Sequence, residues 1–273
     1  MLDPIASLKA PPPRYLLESD SSDEEGQGAY PSSSQPRRPA PPAAEVTLSA
    51  VPGAPALKPS SVVVGIGQAG AYLVRRAAAP RPALTVAVGP EPAGTVFALG
   101  DGSALVALAE PESGAAYALV EAVLGALGAE AWTLVSSYVP AMYIPAEAEP
   151  RLPDPPVRFL SSSAAPKGAG LRGYDAPNYV TGVAGAFLSS SAHPASPFHG
   201  KQSTLLLLPL PLSMLDPRAV SAALGATTGA AAALDRPAHW TEVDDEPFAA
   251  LGMGARRAHE AAGDGDDLSG MYM

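Results

Sequence analysis

The feature that most constrains the fold is a regular alternation of short apolar runs with stretches of helical periodicity. The run Ser61–Ile66 has the length and the β-branched content of a buried strand. It leads into Gln68–Ala79, where Leu73 and Ala77 recur at helical spacing before Pro80 ends the pattern. Because a strand that feeds directly into a helix is half of a βαβ unit, an α/β sheet with helices on its faces is expected.

The same pattern continues along the chain as far as residue 260. Further strands are predicted at Leu84–Val88, Thr95–Leu99, Ala104–Ala109, Trp132–Val139 and Thr204–Leu208, and further helices at Ser113–Leu127, after Asp216-Pro217 and at Pro247–Glu260. The turn Gly100-Asp101-Gly102 would join two of these strands in a hairpin. The predicted fold is therefore a single three-layer α/β domain with a mixed sheet over residues 45–260, in which residues 140–174 receive no assignment.

Both ends of the chain differ in composition from this domain. Residues 1–44 are rich in proline, serine and acidic residues and lack a periodic apolar pattern, so a disordered N-terminal tail is predicted. Within it, Ser21 and Ser22 each have a glutamate three residues on, which is the setting that an acidophilic kinase favours; a solvated acidic tail without regulation is the alternative. Residues 261–273 are predicted to form a flexible, acidic C-terminal tail.

Charge and composition exclude several classes of function. The 27 acidic and 17 basic residues give a formal net charge of −10, which argues against a nucleic-acid-binding surface. The absence of cysteine excludes disulfides, thiolate metal sites and cysteine nucleophiles. The most apolar run, Leu205–Leu212, is interrupted by Pro209 and Pro211 and falls far short of the roughly 20 residues that span a membrane. A cytoplasmic or nuclear location is therefore expected.

One segment matches a nucleotide-binding fingerprint. Gly65–Gly70 has the pattern G-x-G-x-x-G, lies between a predicted strand and a predicted helix, and is followed by Glu91 about 20 residues on. A nucleotide-binding α/β enzyme that uses the Gly65-Gly67-Gly70 loop is therefore one hypothesis, because such a loop brings backbone N–H groups close to a pyrophosphate. The alternative is a tight strand-to-helix turn, which is favoured because Glu91 lies beyond Gly89-Pro90 rather than at a strand end.

Other catalytic and metal-binding patterns are not found in the sequence. The histidines lie beside proline, glycine or tail residues and form no H-E-x-x-H pair, so a surface position is expected for His193, His199, His239 and His259. The acidic string at residues 264–267 lacks the closing glutamate of an EF-hand. No catalytic, cofactor-binding or metal-binding residue is therefore assigned.

A family resemblance begins at Asp175–Ser189. There Pro177-Asn178 is a turn and helix-start signal, and Val183, Phe187 and Leu188 would give the following helix an apolar face. This proline-asparagine entry to a helix of small residues resembles the one in the proteasome assembly chaperone 1 family. The other predicted elements follow in a similar order, and the resemblance extends over roughly residues 45–273.

The chain ends in Met271-Tyr272-Met273, which looks like the hydrophobic-tyrosine-X motif that proteasome activators and assembly chaperones insert between α-ring subunits. Met271 and Tyr272 would be apolar anchors, and the carboxylate of Met273 would pair with a basic pocket residue. The resemblance implies a non-enzymatic chaperone of 20S proteasome assembly that forms a heterodimer with proteasome assembly chaperone 2 and prevents off-pathway α-ring dimers. It implies no cofactor, small-molecule substrate, nucleic acid or membrane partner.

Overall fold

Nine strands form one mixed sheet in this computed structural model, which describes residues 45–111, 114–145, 154–162, 166 and 170–249. In chain order the strands are β1 (Val46–Ala50), β2 (Ser61–Ile66), β3 (Arg81–Val88), β4 (Glu91–Ala98), β5 (Ala104–Leu108), β6 (Ala131–Tyr138), β7 (Arg158–Ser161), β8 (Arg172–Gly173) and β9 (Gln202–Pro209). The helices are α1 (Gln68–Arg76), α2 (Ala116–Leu127), α3 (Gly182–Ala192), α4 (Pro217–Thr227) and α5 (Glu242–Ala249).

The centre of the sheet is parallel, and an antiparallel pair of strands flanks it on each side. The spatial order is β1-β3-β4-β5-β2-β6-β9-β7-β8. Strands β5, β2, β6 and β9 run parallel, whereas β1, β3 and β4 form an antiparallel meander beside β5. Central parallel strands are buried on both faces, which explains why residues 62–64 and 205–208 are uninterrupted apolar runs. The mixed sheet that the sequence predicts is confirmed.

Helices cover both faces of this sheet and make the three layers that the sequence predicts. Successive residues of β2 point to opposite faces, so Val62 and Val64 join one core and Val63 joins the other. Helices α2 and α3 pack on the first core through side chains such as Val120 and Phe187. Helices α1 and α4 pack on the second core. A single α/β domain with a three-layer arrangement is therefore confirmed.

The predicted strands are confirmed, but three of them are longer than predicted, and one of these is β9, which extends past the predicted Thr204–Leu208 at both ends. β3 begins at Arg81 rather than Leu84, and β4 begins at Glu91 rather than Thr95. These two strands pair with each other from Arg81 to Val88, with two irregularities in register. Their backbone pairing extends past the apolar residues, and apolar periodicity is all that the sequence-based boundaries detect.

The helix boundaries also differ in ways that have local causes. α1 ends at Arg76 rather than Ala79, because Ala78 has left the helix and donates its N–H to the carbonyl of Ala233 at 2.9 Å. α4 begins as predicted, with Asp216 as its N-cap. Helix α5 begins five residues earlier than predicted, at a first turn with three acidic residues that suit the positive end of the helix dipole, and residues 250–260 of the predicted helix lie outside the described residues.

The described parts of segment 140–174, which received no assignment from the sequence, contain three short elements. A 3₁₀ turn at Pro140–Met142 follows β6. Strand β7 then pairs antiparallel with β9, and β8 adds two residues at the sheet margin. These elements are too short for a periodic signal, and their main effect is to place aromatic residues beside the ends of the parallel strands.

Candidate functional site

A groove of about 920 Å³ lies at the carboxyl ends of the parallel strands β5, β2, β6 and β9. Helix α1 follows β2 onto one face of the sheet, and α2 follows β5 onto the other face. Such a change of face opens a crevice at this edge of a parallel sheet, and ligands of α/β proteins commonly bind there. The loops that follow the strands therefore supply the side chains of the candidate site.

Glycines form the turn from β2 into α1 at the floor of the groove. Gly67 is the N-cap of α1 and has φ +58° and ψ −130°, a conformation that residues with a side chain rarely adopt. A Cβ on Gly65 would lie 2.5 Å from the Cα of Gly70, so the strand and the helix touch through these two residues. The turn and the close packing thus account for all three glycines of the fingerprint. Glu91 lies in β4 and does not line the groove.

Glu110 connects the end of β5 with the start of α3. Its carboxylate accepts a hydrogen bond from the buried N–H of Val183 at 3.1 Å, and it lies against Gly182. Thr181, the N-cap residue of α3, makes no capping hydrogen bond with its own side chain. Loss of water around the carboxylate raises the pKa of Glu110, although the hydrogen bond from Val183 acts in the opposite direction. Glu110 therefore caps α3 from another part of the chain.

Asn178 fixes the loop that precedes α3 against the segment after β6. Its side-chain amide donates to the carbonyl of Ile144 at 2.8 Å, and its Oδ1 accepts from the N–H of Ile144 at 2.9 Å. The amide also donates to the carbonyl of Asp175 at 2.8 Å. The turn predicted at Pro177-Asn178 is confirmed, whereas the helix begins only at Gly182. Val183 and Phe187 are buried and Leu188 is half-buried, as the predicted apolar face requires.

Three tyrosines form one wall of the groove. The ring centroids of Tyr138, Tyr143 and Tyr174 lie 5.5 to 6.1 Å from one another. Behind them, the guanidinium of Arg158 lies 3.5 Å from the ring centroid of Tyr143 and donates to the carbonyl of Gly173 at 2.8 Å. Burial raises the pKa of Tyr174 above its ordinary value. This wall offers aromatic faces to an apolar or aromatic ligand.

Large apolar side chains are exposed at the rim of the same groove. Met142, Ile144 and Tyr179 line it and expose 77%, 57% and 80% of their surface. Exposed apolar residues that occur singly are ordinary on protein surfaces, whereas a contiguous set marks a binding surface. These three residues, called the rim here, make the groove suited to a peptide or protein ligand.

Helix α5 is attached beside the groove through Asp245. The carboxylate of Asp245 accepts hydrogen bonds from the Gln68 amide, from Trp240 Nε1 at 2.8 Å and from the N–H of Ser213 at 3.1 Å. Gln68 is the first residue of α1 and also lines the groove. The start of the chain's C-terminal segment is therefore held next to the candidate site.

A second contact fixes the same helix to α1. Arg75 and Asp244 form an ion pair with 2.5 Å between Nη2 and Oδ1, and Arg75 also lies 4.6 Å from the ring centroid of Trp240. The hydrogen bond from Arg75 holds the pKa of Asp244 far below its usual range, and a hydrogen bond from the Thr241 N–H adds to this effect. The attachment therefore includes a carboxylate that accepts hydrogen bonds from Arg75 and from the Thr241 N–H.

The residues that the sequence predicts as the binding site, Met271, Tyr272 and Met273, lie outside the described residues. The side chains that the structure does bring together, Glu110 and the tyrosines of the wall, were not singled out by the sequence. Glu110 directly follows a predicted strand, and this position could have marked it, because parallel strands share one carboxyl edge. Tyr143 and Tyr174 lie in the unassigned segment 140–174, where no periodic signal exists.

Other kinds of site were also sought in the described ranges. Within residues 45–111, 114–145, 154–162, 166 and 170–249, no three metal-ligating side chains lie together. In those same ranges no helix has the length and apolar content needed to cross a bilayer. His193, His199 and His239 are exposed, as expected for surface residues, and His259 lies outside the described ranges.

No protein-family model and no curated protein matches this chain. Among solved structures, the chain is similar to Pyrococcus furiosus PbaB, an archaeal proteasome activator, with a TM-score of 0.48 and 13% identity over 79% of this chain and 99% of that one. P. furiosus PbaA, an archaeal homolog of proteasome-assembly chaperone, gives a TM-score of 0.45 and 13% identity over 79% and 97%. A Thermoplasma acidophilum protein with unknown function gives 0.44 and 14% over 76% and 92%. The functions named are those of the archaeal proteins.

Proposed function

We propose that this chain is a chaperone of 20S proteasome core assembly. It acts as a heterodimer with proteasome assembly chaperone 2, promotes formation of the α-ring and prevents off-pathway α-ring dimers, in the cytoplasm or the nucleus. Its last three residues, Met271, Tyr272 and Met273, dock between adjacent α subunits. In this proposal the chain catalyses no reaction and its work is binding.

The observation that carries this function is the hydrophobic-tyrosine-X terminus, taken together with the matching entry segment of α3. Tyr272 and Met271 supply an aromatic and an aliphatic anchor, and the terminal carboxylate supplies a charge that a basic pocket can pair with. Residues 263–270 are acidic and contain glycine, a composition suited to presenting such an end to a partner. The anchors, the carboxylate and the composition of residues 263–270 each have a direct physical role in docking a chain end, whereas the entry segment of α3 supports the family resemblance.

The attachment of α5 fixes the point at which the C-terminal segment leaves the domain. Asp245 and its three hydrogen bonds hold the helix on the domain, so the 24 residues after Ala249 start from one place on the surface. Two chaperones that each present such an end to one ring would raise the effective concentration of the second end after the first has bound. Each individual end can then bind weakly while the heterodimer binds well.

The test is recovery of α-ring intermediates from cells or from reconstituted α subunits. Deleting Met271–Met273, or changing Tyr272→Ala, should reduce recovery about thirtyfold, because a buried aromatic anchor commonly contributes about 2 kcal/mol. Adding one residue after Met273 should do similar harm by displacing the carboxylate. The matched control is Tyr117→Ala, since Tyr117 is 57% exposed on α2, within the domain and remote from the chain end in sequence.

Two measurements make this test decisive. Each variant should keep the parent melting temperature and should co-purify with proteasome assembly chaperone 2 as the parent does, because the substitutions lie at the chain end. Equal recovery of α-ring intermediates from folded parent and variants would refute the terminal anchor. Failure of the parent itself to capture either proteasome assembly chaperone 2 or α subunits would refute the function as a whole.

A nucleotide-binding enzyme is the second candidate, because the Gly65-Gly67-Gly70 loop does open onto the groove. The glycines have structural reasons of their own, since Gly67 needs a positive φ and Gly65 packs directly on Gly70. A ligand that binds only the folded protein raises its melting temperature in proportion to the logarithm of its concentration. A rise with a nucleotide at millimolar concentration would favour this candidate, and an unchanged melting temperature would count against it.

A further inference from the structure

The rim of the groove is an exposed apolar surface that is suited to an apolar partner. Six large apolar side chains are strongly exposed within the described ranges, and three of them, Met142, Ile144 and Tyr179, line this single groove. The tyrosine wall lies behind them. Pockets of this size and apolar character bind peptides or drug-sized ligands.

The chain itself carries a segment that begins next to this groove. Asp245 in α5 accepts a hydrogen bond from Gln68, which lines the groove, and α5 ends only four residues later, about 6 Å further along the helix axis. Residues 250–273 number 24, and a chain of that length can span up to about 80 Å when extended. The C-terminus is therefore within easy reach of the groove.

The chemistry of the terminus suits the groove as well as its position does. Met271, Tyr272 and Met273 are apolar or aromatic, like the rim, and Tyr272 can pack against the tyrosine wall. The carboxylate of Asp245 already contacts Gln68 at the start of α1, and Glu110 lines the groove, so the contact rests on apolar side chains rather than on charge. Burial of this end would also cover the exposed rim.

We propose that the C-terminal Met271-Tyr272-Met273 of the chain occupies the groove lined by Met142, Ile144 and Tyr179 of the same molecule when the end is not bound to another protein. Covalent attachment through a linker of this length would give the end an effective concentration on the order of millimolar at the groove. A contact with an intrinsic Kd of that order keeps the end about half bound, and a stronger partner can still displace it. This contact does not depend on the proteasome and goes beyond the proposed function.

Methionine methyl groups provide the test, because the chain places them on both sides of the proposed contact. The full chain and a chain that ends at Gly270 are labelled with ¹³C at the methionine methyl, and the resonances are assigned by methionine-to-leucine substitutions. The ring of Tyr272 should shift the Met142 methyl, so this resonance should differ between the two chains. Met214 is the matched control: it is 76% exposed, compared with 77% for Met142, and it does not line the groove.

Two further samples identify the occupant. Tyr272→Ala in the full chain should move the Met142 resonance to its position in the shortened chain, because the aromatic ring causes the shift. Ile144→Ser with Tyr179→Ser should sharpen the Met271 and Met273 methyl signals by releasing the end from the domain. All of these differences should be unchanged on tenfold dilution, since the contact is within one molecule.

The outcomes separate this contact from its rivals and from the proposed function. A Met142 resonance that is identical in the full and shortened chains overturns the proposal. A difference that disappears on tenfold dilution also overturns it and assigns the groove to the end of a second copy. Neither result concerns capture of α-ring intermediates, so the proposed function can stand while this contact fails, and the contact can stand while that function fails.

Discussion

The attachment of α5 can be tested by the substitution Asp245→Ala. The carboxylate of Asp245 accepts three hydrogen bonds, from Gln68, Trp240 and Ser213. At a net value of about 1 kcal/mol each, their loss would weaken the docking of α5 by about 3 kcal/mol, or about 100-fold. A helix of eight residues is not stable alone in water, so α5 should unfold once it separates from the domain.

Hydrogen exchange measured by mass spectrometry is the direct assay. Amides of α5 should exchange about 100-fold faster in Asp245→Ala, whereas amides of the central strands should keep their protection. Trp240 should show red-shifted emission as it leaves Tyr72 and Arg75, while Trp132, which is 4% exposed in the other core, provides an unchanged background. The control Glu246→Ala removes an exposed carboxylate from the same helix and should leave exchange as in the parent.

The result that would refute this reasoning is equal protection of α5 in the parent and in Asp245→Ala. It would show that the three hydrogen bonds exchange for water without net cost and that other contacts hold the helix. Loss of protection throughout the domain would refute it differently, by showing that α5 is not a separable unit. Only local loss, confined to the last helix, agrees with the structure.

Three further predictions concern charged side chains. Arg76 is 1% exposed and donates five hydrogen bonds. The substitution Arg76→Leu should lower the free energy of unfolding by about 3 to 5 kcal/mol and the melting temperature by about 10 °C, whereas Arg81→Leu at an exposed position should change the melting temperature little. Glu110→Ala should lower the free energy of unfolding in urea by about 1 kcal/mol at pH 7, because it removes the acceptor of the Val183 N–H. Glu110→Gln keeps a hydrogen-bond acceptor at this position. Because the pKa of Glu110 is raised in the folded state, the parent should lose stability relative to Glu110→Gln as the pH rises above about 4. The pKa of Asp244 is lowered, so docking of α5 should be complete above about pH 4 and should weaken below it, as followed by tryptophan emission.

The sequence was sufficient to predict the layers and most elements of the fold. The central strands have fully apolar, β-branched or leucine-rich runs because both of their faces are buried, and this gives a strong local signal. By contrast, the early starts of β3 and β4 depend on pairing between strands, which no local pattern reports. The end of α1 depends on a hydrogen bond to Ala233, more than 150 residues further along the chain.

The candidate site could be predicted only in part. The turn at Pro177-Asn178 and the glycine turn before α1 were visible, because each requires particular residues in consecutive positions. The link between Glu110 and Val183 was not visible, because 73 residues separate its partners and the sequence marks Val183 only as part of an apolar helix face. The groove exists only after β5, β2, β6 and β9 come together, so its rim residues carry no signal as isolated apolar residues in loops.

The contact of the terminus with the rim leads to a prediction that an ordinary exposed surface would not. If the end is about half bound to the groove, Ile144→Ser with Tyr179→Ser should nearly double its availability and strengthen capture of α-ring intermediates about twofold. If the Kd of this contact is about tenfold lower than the effective concentration of the end, the gain in capture should approach tenfold. The measurement is recovery of α-ring intermediates at limiting chaperone concentration, with Tyr117→Ser as the control for removing an exposed apolar side chain. Unchanged recovery would contradict competition between groove and ring, and a decrease would assign the rim to direct contact with a proteasome subunit or with the partner chaperone.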